Sequence, residues 1–336
     1  MPENLALPDI GDVRNAADRI AKHAVRTPLI ESPFLNERMG ARVLLKAEVQ
    51  QRTGSFKFRG AFNAVSQLDA AHFPGGVVAC SSGNHAQGIA EAARVCGVPA
   101  VIVMPEDAPA LKIARTKRSG AEIVLYDRYK ESREAIAEAI ASERKAAFVA
   151  PFDNFHVIAG QGTVGLELIA QAKAAGAEAL EAVLTPASGG GLAAGTALAV
   201  KDANPACKVY VVEPEGFDDH ARSLASGKRE SNSPGRTSIC DALLMPQPGK
   251  LTFAMNRERL DGGLVVSDDE VRAAVAFAFH ELKLVVEPGG AVALAALLSG
   301  RYTPGGRPVG VVLSGGNIDP AMLSEILEWN ARRQTP

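Results

Sequence analysis

Gly76-Val77-Val78-Ala79-Cys80-Ser81-Ser82-Gly83-Asn84-His85 decides how this chain of 336 residues folds. An unbroken apolar run stops at two serines and a glycine, and a helix-like stretch at 86–95 follows at once. A strand that is apolar at every position has no face for water. It belongs inside a parallel sheet covered by helices on both sides. The same pattern recurs outward from this stretch in both directions. Strand-like runs at 43–48, 100–104, 122–126, 146–150, 182–185 and 309–314 precede helix-like segments at 56–68, 110–119, 131–144, 156–175, 192–202 and 320–333. A further run lies at 209–213. The spacing predicts an α/β fold.

Ser267 and Glu270 form a capping box that opens a helix expected to reach residue 284; Pro288 and the glycines after it break the chain before another at 291–298. Phe73-Pro74-Gly75-Gly76 and Pro151-Phe152-Asp153-Asn154 are the expected crossing points between two domains. The expected small domain is 76–151, and 1–75 with 152–336 make the large one.

The composition is that of a globular protein, 47% hydrophobic and 22% charged. With 36 basic against 38 acidic residues, bulk charge draws it to neither nucleic acid nor an anionic membrane. Met1-Pro2-Glu3-Asn4 lacks the features of a secretory signal and no apolar run is long enough to span a bilayer, so a cytoplasmic protein is expected. Cys80, Cys96, Cys207 and Cys240 form no C-x-x-C pair and are expected to be small buried hydrophobes.

Four loops carry the chemistry. Lys57, in Ser55-Phe56-Lys57-Phe58-Arg59-Gly60, has apolar flanks that favour a neutral, nucleophilic amine. Ser188-Gly189-Gly190-Gly191-Leu192 offers backbone N–H groups at a helix N-terminus, where a phosphate fits. Its spacing is neither that of an ATP-binding P-loop nor that of a dinucleotide fingerprint. Ser81 to His85 offers hydroxyls, an amide and N–H groups to a carboxylate, and Ser314-Gly315-Gly316-Asn317 offers a neutral hydroxyl. Each loop alone is compatible with an ordinary turn or helix cap. Gathered at the strand ends of one sheet, they suit pyridoxal phosphate, whose aldehyde condenses with a lysine.

Together these motifs resemble the serine/threonine dehydratase and serine racemase family. It belongs to the fold type II, tryptophan synthase β-like pyridoxal phosphate enzymes. S-F-K-x-R-G, S-S-G-N-H, G-G-G-L, V-E-P and S-G-G-N occur in matching order from about Thr27 to Asn317. The resemblance implies two open, twisted, mainly parallel sheets flanked by helices in a large and a small domain. It implies Lys57 as the cofactor's imine partner, Phe56 packed on the ring and Asn84 on the 3′-oxygen. Ser188, Gly189, Gly190, Gly191 and Leu192 would hold the phosphate. Glu287 would lie near the ring, and Ser314 would face the pyridine nitrogen.

By the same resemblance Ser81, Asn84 and His85 would bind the substrate α-carboxylate. Ser82 would stand on the cofactor face opposite the lysine, where racemase-like members carry serine. Arg133 would face the active site, able to clamp a second carboxylate. Glu213, the Phe217 carbonyl and Asp219 would hold Mg²⁺ or Ca²⁺. Ser188 departs from a more usual glycine and Met245 from the racemases' serine. The chain length leaves no room for a C-terminal regulatory domain, so feedback by isoleucine is not expected.

The leading expectation is therefore a threonine/serine ammonia-lyase acting by α,β-elimination on a small amino acid, as a homodimer or homotetramer. A threo-3-hydroxyaspartate dehydratase or serine racemase is the alternative, and a non-catalytic amino-acid-binding homologue is a third.

Overall fold

The computed structural model describes residues 6–108 and 110–334. Among them ten strands form two sheets. The strands are β1 (Leu29–Glu31), β2 (Val43–Ala47), β3 (Val77–Cys80), β4 (Ala100–Pro105), β5 (Glu122–Tyr126), β6 (Ala147–Phe148), β7 (Ala182–Pro186), β8 (Lys208–Pro214), β9 (Gly262–Val266) and β10 (Val309–Leu313). The larger sheet runs β1-β2-β10-β7-β8-β9, with only β1 antiparallel to its neighbour. The smaller runs β5-β4-β3-β6, parallel throughout. All four of its strands come from residues 77–148, inside the stretch expected to fold as an inserted unit.

Thirteen helices cover the sheets: α1 (Ile10–Ile20), α2 (Pro33–Met39), α3 (Lys57–Val65), α4 (Asn84–Cys96), α5 (Ala110–Arg118), α6 (Arg133–Arg144), α7 (Phe155–Ala174), α8 (Gly191–Ala203), α9 (Asp219–Ser226), α10 (Lys250–Arg259), α11 (Asp268–His280), α12 (Pro288–Leu298) and α13 (Pro320–Gln334). α12 is apolar all round and buried from Pro288 to Leu297, because it fills the space between the large sheet and α11. Each leucine buried there is worth about 2 kcal/mol relative to water. None of the helices is long and apolar enough to cross a membrane. The four cysteines are free; Cys80, Cys207 and Cys240 are buried and Cys96 is half-buried.

Three expectations change in detail. The Ser267 capping box forms with both bonds, but α11 stops at His280 instead of 284. Lys283 takes a left-handed backbone (φ 56°) and the Leu284 amide folds back on the Ala278 carbonyl. β6 is two residues where five were expected, although Val149 extends the ladder with one bond to Val78. β1, β9, α1, α2, α9 and α10 were not predicted.

Candidate active site

The carboxyl ends of β2, β3, β7 and β10 point into one crevice between the sheets, and the loops leaving them line a cavity of about 350 Å³. Lys57 is the first residue of α3. Its Nζ donates to the Pro151 carbonyl at 2.8 Å and lies 5.2 Å from the centroid of the Phe56 ring. Enclosure by protein pushes the amine down to about 8, and the nearby Glu287 carboxylate offsets part of that shift. Two residues on, Arg59 is fully buried and bonds Glu48 at 2.8 Å and Glu167 at 2.7 Å, while Lys46 reaches Glu167 at 2.6 Å. This network pins the start of α3 to β2 and α7.

Ser188, Gly189 and Gly190 join β7 to α8, whose N-terminal N–H groups face the cavity wall. Side chains would not fit in this turn. A Cβ on Gly189 would stand 2.2 Å from the Phe152 ring. One on Gly190, whose φ is +93°, would stand 2.5 Å from His220 Nε2. The turn is braced from behind: Thr252 Oγ1 donates to the Gly189 carbonyl at 2.6 Å, and Asn256 Nδ2 to the Gly190 carbonyl at 3.3 Å. The Ser188 hydroxyl accepts from the Met245 amide at 3.3 Å, which leaves its own proton to donate.

Asn84 opens α4 and donates through Nδ2 to Glu287 Oε1 at 2.6 Å. Burial, then the charge of Asp241, pushes the Glu287 carboxyl up to about 7. Ser314 is buried at the end of β10, and its carbonyl accepts from the Phe56 amide. Ser81, Ser82 and His85 line the cavity. The Ser81 hydroxyl accepts from the Gly83 amide, and His85 Nε2 lies 3.0 Å from the Val149 carbonyl. Burial pushes His85 down to about 3, so its ring is neutral.

Arg133 opens α6 and also reaches the cavity, Nη2 lying 3.9 Å from Met245 Sδ and Nε bonding Glu134 at 2.7 Å. Arg128, Lys112 and Asn317 line the same cavity and carried no expected role. Arg128 sits on the loop between β5 and α6, where sequence spacing gives no sign that it will meet Ser82. Asn317 stood at the end of a quoted motif. Its Nδ2 donates to Asn84 Oδ1 and to the Thr53 carbonyl, both at 2.8 Å.

Away from the cavity, Glu213 on β8 and Asp219 at the start of α9 come together as expected, joined by His220, which was not. All three are buried. Burial, then Glu213, pushes the Asp219 carboxyl up to about 7. Phe217 is buried in the turn between them. Asp219 Oδ2 and His220 Nδ1 have no partner, so the donor set fits a divalent cation.

The residues around the cavity fit pyridoxal phosphate. A glycine turn at a helix N-terminus suits a phosphate, an enclosed amine can condense with an aldehyde, and a buried hydroxyl can donate to a ring nitrogen.

Known proteins agree. The chain is 44% identical over 315 residues to an L-threo-3-hydroxyaspartate ammonia-lyase of Saccharomyces cerevisiae, covering 94% of this chain and 95% of that protein. It is 40% identical to a serine racemase of Schizosaccharomyces pombe, covering 95% and 97%. The solved structure of a T.th. threonine deaminase superposes with a TM-score of 0.87 at 46% identity, covering 93% of this chain and 99% of that one. The family described as "Pyridoxal-phosphate dependent enzyme" matches residues 20–315, and with that match on top of the fold and the cavity, this chain belongs to the pyridoxal-phosphate dependent enzymes of fold type II.

Proposed function

We propose that the protein removes water from a β-hydroxy α-amino acid bearing a second carboxylate, 3-hydroxyaspartate, in preference to threonine or serine, and releases a 2-oxo acid and ammonia. The observation that carries this reading is Arg133 beside Arg128 on the cavity wall next to Ser81 and Ser82. Threonine offers those guanidinium groups a methyl; hydroxyaspartate offers a carboxylate they can bind bidentately. The hydroxyaspartate ammonia-lyases among the relatives point the same way.

Bound pyridoxal phosphate supplies an aldehyde that condenses with amines and a ring that takes up the electrons left when the α-proton departs. The turn from Ser188 to Leu192 would hold its phosphate, Ser314 would give the ring nitrogen a neutral partner, and Phe56 would pack on the ring. Lys57 is the attachment point. With its amine free, Lys57 Nζ would take the α-proton, a task that a pKa near 8 suits. The Ser81 hydroxyl and the N–H groups of Asn84 and His85, the first two residues of α4, hold the α-carboxylate in position while Arg133 and Arg128 hold the β-carboxylate. The β-hydroxyl leaves as water with the proton that Lys57 Nζ took from the α-carbon. The unsaturated amine that is released takes up water, giving the 2-oxo acid and ammonia.

A racemase reading has Ser82 in its favour, as a hydroxyl lining the same cavity. The test is 2-oxo acid formation from L-threonine, L-serine and threo-3-hydroxyaspartate by the parent and Arg133→Ala. The variant is expected to lose activity on hydroxyaspartate at least about tenfold while threonine changes little. Equal losses on all three would overturn the clamp, and release of D-serine without 2-oxo acid would favour the racemase.

A further inference from the structure

Among the described residues, eight buried side-chain polar atoms have no hydrogen-bond partner, and three of them belong to residues that adjoin one another: Asp219 Oδ2, His220 Nδ1 and Asn256 Oδ1. Orphaned polar atoms each cost on the order of 1–3 kcal/mol, and adjacent ones point to a missing partner. His220 Nδ1 stands 3.5 Å from Glu213 Oε1 and 3.8 Å from Asp219 Oδ2. Both distances are too long for a good hydrogen bond. They are close to the spacing of two ligands on one ion, roughly 3–3.7 Å for bonds of about 2.1–2.5 Å.

The two carboxylates are already oriented. Glu213 accepts from the His220 and Ala221 amides at 3.0 and 2.9 Å, and Asp219 Oδ1 accepts from Asn232 Nδ2 at 2.6 Å. Those bonds leave the remaining lone pairs of Glu213 and the whole of Asp219 Oδ2 facing the imidazole.

We propose that His220 is a ligand of a divalent cation held with Glu213 and Asp219, its Nδ1 bonding the ion. The oxygen-only set expected from Glu213, Phe217 and Asp219 thereby gains a nitrogen. An imidazole donor shifts preference from Ca²⁺ and Mg²⁺ toward Mn²⁺ and its later neighbours. Ligation at Nδ1 puts the ring proton on Nε2, which lies 3.3 Å from Asn256 Nδ2. Turning the Asn256 amide over gives that proton an oxygen to bind, in exchange for the 3.3 Å donation to the Gly190 carbonyl. His220 therefore stands between the cation and the phosphate turn, touching both. The inference is independent of which amino acid the enzyme consumes.

The test is electron spin-echo envelope modulation on Mn²⁺-loaded holoenzyme, with calorimetric titration of Mn²⁺ and Ca²⁺. The parent is expected to show ¹⁴N modulation from a bound imidazole, which changes to that of ¹⁵N when the protein is grown on ¹⁵N-histidine. His220→Gln should lose the modulation and bind Mn²⁺ at least about tenfold more weakly, with Ca²⁺ shifting less than about threefold. The isotope arm uses the parent chain alone, so it decides the matter even if the variant misfolds. Mn²⁺ binding without nitrogen modulation, equal weakening of both ions in a folded variant, or no binding of either ion would overturn the proposal.

Discussion

Asn84 and Glu287 meet at 2.6 Å across the crevice, one opening a helix on the small sheet and the other capping α12 against the large sheet. The Asn84 amide oxygen is taken by Asn317, so one hydrogen of Nδ2 remains for a ligand. The partner carboxyl is buried, and its affinity for a proton is high for that reason.

That burial makes stability depend on pH. The Glu287 carboxyl moves from 4.5 to about 7 on folding, so the folded chain binds the proton more tightly than the unfolded one. Its contribution is full below about pH 4.5 and is lost as the pH rises through about 7. Glu287→Gln keeps the shape and cannot ionise. Relative to the parent, the cofactor-free variant should therefore gain about 2 kcal/mol between pH 5 and pH 8. Denaturant melts at the two pH values measure it; a constant difference would show that Glu287 is not buried in solution.

Lys57 has the opposite sign. Its pKa falls from 10.5 to about 8, so the neutral amine becomes abundant at a pH about 2.5 lower than for a free lysine. The rate of imine formation between cofactor-free protein and pyridoxal phosphate should climb from pH 7 to 9 and then level off, read by visible absorbance. Lys57→Ala should form no borohydride-fixed adduct and release no ammonia. A rate still rising steeply at pH 10 would place the amine in water.

The phosphate turn should tolerate no side chain. Gly190→Ala forces a Cβ against His220 and Asn256 at a positive φ, and Gly189→Ala drives one into Phe152. Each is expected to weaken pyridoxal phosphate at least about a hundredfold by equilibrium titration, whereas Ser188→Ala should cost only about 1 kcal/mol, one hydrogen bond. If Gly190→Ala bound the cofactor normally, the phosphate would lie elsewhere.

How much of this was legible in the sequence follows from where the information sits. Runs such as Val77–Cys80 are buried on both faces, so composition alone marks them as parallel strands. β9 escapes because four of its five residues are half-exposed and its first two are glycines. The lysine, the glycine turn and the asparagine loop are each continuous in sequence and stand at strand ends, so they could be read together. Arg128 reaches the cavity only because the two sheets face each other, and no local spacing encodes that. His220 is adjacent to Asp219, yet its place depends on α9 turning back onto β8. Arg59 stands in the lysine motif with no role read from it, and it is wholly enclosed.

Arg59 also sets the last prediction. Its guanidinium is the principal counter-charge of Glu48, which is buried and, among the described residues, otherwise bonded only to the Thr27 hydroxyl at 2.5 Å. Arg59→Met leaves that carboxylate uncompensated, an imbalance that typically costs about 3–5 kcal/mol. Adding Glu48→Gln removes the stranded charge, so the double variant should recover part of the loss, and the difference in a double-mutant cycle reports the coupling. Because Arg59 follows Lys57 by two residues on α3, the single variant should also slow turnover by shifting the amine from the Pro151 carbonyl, with KM less affected than kcat. Additive stabilities in the cycle would mean that Arg59 and Glu48 do not act as a pair, and the network would not be what holds the lysine in place.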